Sequence, residues 1–312
     1  MKKFIYKISL YLVLLLFTFL ILKLNVNQPK KDYLSVLVTK LKLLQSNKKE
    51  KKIILLGGSG VGMGISAEMI EKMTNIKTIN LGLHGGLGLT DFQSFILKQI
   101  NKDDIIIFSP EWTFYTNPKF TDPATLDHLI RYNPDYGKLL GNKWYQFESF
   151  FSKIDFKNTN QIDSNNPYRF DCMNKNGDII SQCGLPPRSF NDYTVDSVGF
   201  NINNFISSFP FIQTNITILL FPPTLSSVYE KYSSVLVSFE SALRAKHFII
   251  ADSISENVYP RNYFFDAGYH INCDIRVYRT LKLFHFLKLK VLKQCNDGNI
   301  CNDTFMNHLR KQ

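Results

Sequence analysis

Ile53-Ile54-Leu55-Leu56-Gly57-Gly58-Ser59-Gly60 is the stretch on which the reading of this chain turns. An uninterrupted branched apolar run of this length suits a strand better than a helix, and the absence of polar alternation belongs to a strand covered on both faces. The glycines that follow let the backbone turn and set Ser59 at the exit of that strand, its hydroxyl presented outward. Serine is an inert alcohol unless a base is in reach. The chain offers one near its other end, in Asp266-Ala267-Gly268-Tyr269-His270-Ile271-Asn272, where an imidazole has a carboxylate four positions before it. Nucleophile, base and orienting acid are the parts of acyl transfer through an acyl-serine.

Outward from this stretch the same rhythm repeats. Ser59 to Gly64 reads as a turn and Ile65 to Met73 as a helix; Ile76 to Leu81 is a second strand, Gly82 to Gly88 its turn, and Asp91 to Ile100 a helix capped by Thr90 or Asp91. Asp104 to Phe108 is a third strand. Residues from about 112 to 210, rich in Asn, Asp, Pro, Tyr and Phe, break the pattern and read as an inserted, lid-like region. The alternation resumes with a strand over Ile216 to Phe221 stopped by Pro222-Pro223, a helix from Ser227 to Ala245, a strand over His247 to Ile250 and a closing helix from Asp274 to Lys290. Such alternation predicts an α/β fold with a parallel sheet between helical layers. Ligands of such sheets bind at the carboxyl ends of the strands, where Ser59, Gly82 and Glu111 fall.

The formal charge of +11 points to nucleic acid until the lysines are located. Residues 1–52 hold twelve Lys against Asp32 and Glu50, which accounts for +10 and leaves the rest nearly neutral. A phosphate-binding face on the body is therefore excluded. The uncharged run Ile8 to Leu22, within Phe4 to Leu24, predicts a retained transmembrane anchor over residues 1–25, the competing cleaved signal peptide having only the poor site Leu24-Asn25-Val26-Asn27. The short N-terminal tail favours tail-in, body-out: a single-pass inner-membrane protein with its C-terminal domain periplasmic or extracellular. Leu34, Leu37, Val38, Leu41 and Leu44 recur at helical spacing and make residues 26–50 an amphipathic stalk, lying on the bilayer or packed on the domain of residues 51–312.

Among the 5 cysteines, the spacings Cys172/Cys183 and Cys295/Cys301 allow two local disulfides in an oxidising compartment, against the alternative of free thiols. Cys273 is left over and reads as a small buried apolar residue. No metal-ligand grouping and no cofactor is expected. Gly62-Met63-Gly64-Ile65-Ser66-Ala67 matches the dinucleotide-binding pattern, but Asn80 stands where the second strand would need an acid, and no Lys-Ser or Lys-Thr completes a phosphate loop.

Gly57-Gly58-Ser59, Asn80-Leu81-Gly82-Leu83-His84-Gly85 and the Asp266 to Asn272 motif together resemble three of the four signature blocks of the SGNH/GDSL hydrolases, over roughly residues 51–111 and 215–290. Tyr269-His270-Ile271-Asn272 followed by Arg279-Thr280 is similar to the ends of a membrane-anchored bacterial variety. The resemblance implies a three-layer, flavodoxin-like sheet, with Ser59 as nucleophile, His270 as base and then acid, Asp266 as its orienting carboxylate, and the Ser59 and Gly82 N–H groups in the oxyanion hole. It further implies acyl esters of envelope polysaccharide or a similar polymer as substrate, by hydrolysis or transfer, with the membrane and a multi-pass membrane acyltransferase as partners. The chain departs from the pattern at the third block, where Ser109-Pro110-Glu111-Trp112 replaces an Asn that would donate to the oxyanion, and in the four-residue Asp266–His270 spacing.

Each piece also has a plainer reading. His84 and Trp112 are pocket candidates beside Glu111, yet His84 suits a turn, and Trp112 and Tyr115 suit lid packing. Arg276 and Arg279 read as solvated or paired residues. The rival from another class is a noncatalytic module that keeps the fold and binds glycan or a membrane acyltransferase.

Overall fold

The computed structural model describes residues 2–24, 32–90, 93–132, 136, 166–193, 195 and 200–292. Its centre is a sheet of β1 (Lys52–Gly57), β2 (Lys77–Asn80), β3 (Ile105–Ser109), β4 (Ile216–Leu219) and β6 (Ile249–Ile250), every neighbouring pair parallel. The order β2-β1-β3-β4-β6 is the flavodoxin-like one. A second, two-stranded sheet joins β5 (Thr224–Leu225) to β7 (Val258–Tyr259).

Period-two alternation divides each central strand between two cores. Ile53, Leu55, Ile105, Ile107, Ile216 and Ile218 face one side, packed by Ala67 and Ile70 of α4 (Ala67–Thr74), Leu283 of α11 (Cys273–Phe286) and the wider π turn Leu287–Leu292 that continues it. Ile54, Leu56, Ile106, Phe108 and Leu219 face the other, larger core. That layer holds α2 (Val36–Ser46), α5 (Gln93–Leu97), α8 (Ile202–Ser208), α9 (Phe211–Thr214) and α10 (Ser226–Ala245). Phe205, Phe209 and Phe211 gather around Phe108 at centroid distances of 5.9, 4.9 and 5.2 Å, so two aromatic residues of the region expected to form a lid, Phe205 and Phe209, also pack the sheet.

Several local expectations shift. Ser59 to Gly64 is a short helix, α3, rather than a turn. The strand expected from His247 begins only at Ile249, because His247 takes φ 59°, in the left-handed region, as the chain leaves α10. In α2, Val36, Leu37, Val38, Leu41 and Leu44 are buried in the larger core together with Lys40, so this segment packs on the domain.

The single-pass inner-membrane placement, and with it an outward-facing body, is overturned: among the described residues no helix is long and apolar enough to cross a membrane. The N-terminal α1 (Lys2–Leu24) carries lysines in its first two turns. Of the inserted region, α6 (Trp112–Thr116), α7 (Pro123–Tyr132), a stretch closed by the Met173–Ile179 bridge, and α8 are described.

Candidate active site

The carboxyl ends of β1, β2 and β3 bring their following loops together. Ser59 opens α3, and its hydroxyl donates to Glu111 Oε1 at 3.0 Å, while the Gly60 N–H donates to the same oxygen at 3.3 Å. Glu111 reaches this place because two glycines leave room: a Cβ on Gly58 would lie 2.4 Å from Oε1, and one on Gly85 would lie 2.3 Å from Oε2. The carboxylate is thus held between the first and second glycine loops. These loops also touch directly, since a Cβ on Gly62 would meet the Gly82 carbonyl at 2.5 Å.

The motif near the C-terminus supplies the base. His270 Nδ1 and Asp266 Oδ1 are 2.7 Å apart. The four-residue spacing is absorbed by a turn in which the His270 N–H donates to Ala267 O at 3.0 Å and the Phe265 N–H to His270 O at 2.6 Å. Asn272 then caps α11, accepting from the Ile275 N–H at 3.0 Å. Burial pushes the Asp266 carboxyl up, but hydrogen bonds from His270 and Tyr168 outweigh it and hold it below the usual carboxylate range. A carboxylate on Nδ1 assigns the proton to that nitrogen and leaves the lone pair on Nε2. Nε2 is buried and has no partner among the described residues. The backbone of this motif lies against α3: a Cβ on Gly60 would be 3.2 Å from Tyr269 O. Ser59, Glu111 and His270 are each only 8% exposed.

Other expected site residues fall elsewhere. The Gly82 N–H, expected in the oxyanion hole, donates to Asn80 Oδ1 at 3.0 Å. The cause is Asn80 itself, whose buried amide turns back from the end of β2 and donates to Val61 O, Ile65 O and Asp178 Oδ1. His84 stands exposed at the rim, its Nδ1 accepting from the Gly86 N–H at 3.0 Å. Trp112 is 2% exposed, donates from Nε1 to Thr224 Oγ1 and packs with Tyr115 and Phe221. Arg276 pairs with Asp178 at 3.2 Å and donates to Ile179 O, and Arg279 donates to Phe221 O at 2.6 Å, both beneath the surface.

The expected Cys172–Cys183 disulfide is not formed. Cys183 pairs instead with Cys273 across a Cα–Cα distance of 5.5 Å, and Cys172 is a buried free thiol. The fold brings residue 183 of the insertion onto the first residue of α11, a proximity that sequence spacing does not disclose. Cys295 and Cys301 lie outside the described residues.

Three residues with no motif around them also join the site. Tyr168 donates to Asp266 Oδ2 at 2.6 Å. Tyr33 donates to Leu83 O at 2.7 Å, and the buried Lys40 donates to Gly82 O, so the segment before β1 braces the second glycine loop. Their signals in the sequence are a tyrosine in an irregular stretch, a tyrosine before a helix and one lysine on an apolar helical face, none of which points to a site.

No family model matches the chain. No curated protein matches it either. Among solved structures, a family two carbohydrate esterase from Clostridium thermocellum in complex with cellohexaose aligns over 77% of this chain and 64% of its own at 9% identity, with a TM-score of 0.33. The chain thus spans less than two thirds of that protein's length. A likeness of that size carries no functional argument, which rests on the site geometry.

Proposed function

We propose that this chain is a serine-dependent O-acyl esterase or O-acyltransferase that passes an acyl group through Ser59, with an acylated polysaccharide or similar polymer as its substrate. The observation that carries the reading is the Asp266–His270 pair at 2.7 Å, with the opposite imidazole nitrogen buried and without a partner among the described residues, and with the Tyr269 backbone against Gly60 of α3. In this reading Ser59 turns from Glu111 to Nε2, which takes the hydroxyl proton as Oγ bonds to the ester carbonyl carbon. The carbonyl pair moves onto oxygen, stabilised by the Ser59 N–H. Collapse breaks the bond to the leaving alkoxide, which receives the proton from His270. Water or an acceptor alcohol then releases the acyl group by the same steps in reverse, so hydrolysis and transfer share one intermediate. The polymer substrate follows from the family resemblance in the sequence.

Labelling the full chain with a fluorophosphonate probe tests this. Modification at Ser59 that is lost in Ser59→Ala and in His270→Ala is the expected result. A folded wild-type chain that does not label favours the second reading, a noncatalytic module binding glycan or an acyltransferase partner. That reading draws on the Ser59 hydroxyl and the Gly82 N–H both being occupied within the protein.

A further inference from the structure

We infer that Tyr168, contributed by the inserted region, is a positioning residue for the Asp266–His270 pair; the inference rests on the acyl-serine reading of that pair. The Tyr168 hydroxyl donates to Asp266 Oδ2 at 2.6 Å and lies 3.3 Å from His270 Nδ1. The imidazole takes the other carboxylate oxygen, Oδ1. Each oxygen of Asp266 therefore has its own donor, which fixes the carboxylate plane and, through it, the direction of Nε2. A phenol cannot donate to a nitrogen that already carries a proton, so its hydrogen belongs to Oδ2 and its lone pair faces Nδ1–H.

Tyr168 is itself fixed. Its ring meets that of Tyr33 edge-on at 5.1 Å and 85°. The Tyr33 hydroxyl reaches Leu83 O, so one chain of contacts runs from the second glycine loop through Tyr33 and Tyr168 to the carboxylate. The neighbouring Pro167 carbonyl accepts from Ser181, and Cys183 ties that stretch covalently to α11. Burial and the adjacent Asp266 charge push the Tyr168 phenol up, so it remains a donor over the whole working range of pH.

The charged and titratable groups around the pair come from every packed element. Among the described residues they are Tyr33 before α2, Tyr168 and Arg188 of the insertion, Glu111 after β3, His84 of the second glycine loop, and Tyr269 beside His270. Removing only the Tyr168 hydroxyl leaves Asp266 with one donor fewer, so its charge falls more fully on the imidazole. The protonated imidazole is then favoured, and an imidazole that must be neutral to accept the serine proton becomes available only at higher pH.

The test compares wild type with Tyr168→Phe in the full chain, by the pH dependence of fluorophosphonate labelling and by an NMR pH titration of the His270 imidazole, assigned with His270→Ala. The expected result is a labelling rate lower by about tenfold at neutral pH, an acid limb moved to higher pH, and imidazole resonances that titrate at higher pH. A limb and a titration both unmoved in a folded Tyr168→Phe overturn the inference. If wild type does not label yet the imidazole titration moves in Tyr168→Phe, the acyl-serine reading fails and the positioning role stands. Tyr168→Leu, which also loses the ring contact with Tyr33, separates the parts: a mere packing role predicts loss of thermal stability there and no pH shift in Tyr168→Phe.

Discussion

Ser59 donates its hydroxyl hydrogen to Glu111 at 3.0 Å, and His270 Nε2, which has no partner among the described residues, stands without it. The nucleophile of the proposed reaction therefore rests on a carboxylate, which must give it up before attack. A carboxylate so near the serine also opposes the negative charge that develops on an ester oxygen.

Replacing Glu111 by Gln tests that opposition. The amide oxygen still accepts from Ser59, its NH2 supplies a donor, and the negative charge is gone. Fluorophosphonate labelling of Ser59 is expected to quicken about three- to tenfold, within the range that one oxyanion donor supplies. A fall of similar size would show that Glu111 assists the serine.

Asp266→Asn keeps the shape of the turn but presents either an acceptor or a donor to Nδ1, so the imidazole loses its enforced tautomer. Labelling should fall roughly 10²- to 10⁴-fold while the thermal transition stays near that of wild type. Second-order labelling rates and melting curves of the two proteins check this, and a loss below threefold removes Asp266 from the proposed mechanism.

Burial lowers the Lys40 amine to about 7. Between that value and the ordinary lysine range the unfolded chain binds the extra proton, so folding stability from this group rises with pH above about 7 and its penalty is complete below it. Denaturant unfolding from pH 7 to 9 should show midpoints that rise with pH in wild type and a flatter profile in Lys40→Met. Equal slopes would mean that the amine is solvated. The methionine leaves Gly82 O without its donor, at a cost of ~1–3 kcal/mol independent of pH.

Non-reducing peptide mapping should find Cys183 joined to Cys273, with Cys172 alkylated only after unfolding, since it is buried and burial pushes its thiol up to about 11. The crosslink spans a sequence separation of 90, so chain entropy alone puts its loss in Cys183→Ser with Cys273→Ser at about 4–5 kcal/mol. A Cys172–Cys183 peptide would contradict the structure directly.

The sequence by itself determined the sheet and the order of its parts. Uninterrupted apolar runs at Ile53 and Ile105, and the run at Ile216 broken only by Thr217, require cover on both faces, and glycine-rich exits at Gly57 and Gly82 mark where the strands end. These signals are local, written in neighbouring residues, as is the Asp266–His270 spacing. Tertiary structure alone decided what lies across space: Glu111 as the partner of Ser59, Asn80 as the acceptor of the Gly82 N–H, Cys273 rather than Cys172 as the mate of Cys183, and Tyr168 and Lys40 at the site. The expectation for the anchor failed on another count, because a span needs length and apolarity in one helix, and among the described residues no helix combines them. Side chains distant in sequence meet only after the chain closes on its core, and hydrogen bonding is decided there by distance and direction, which residue order does not encode.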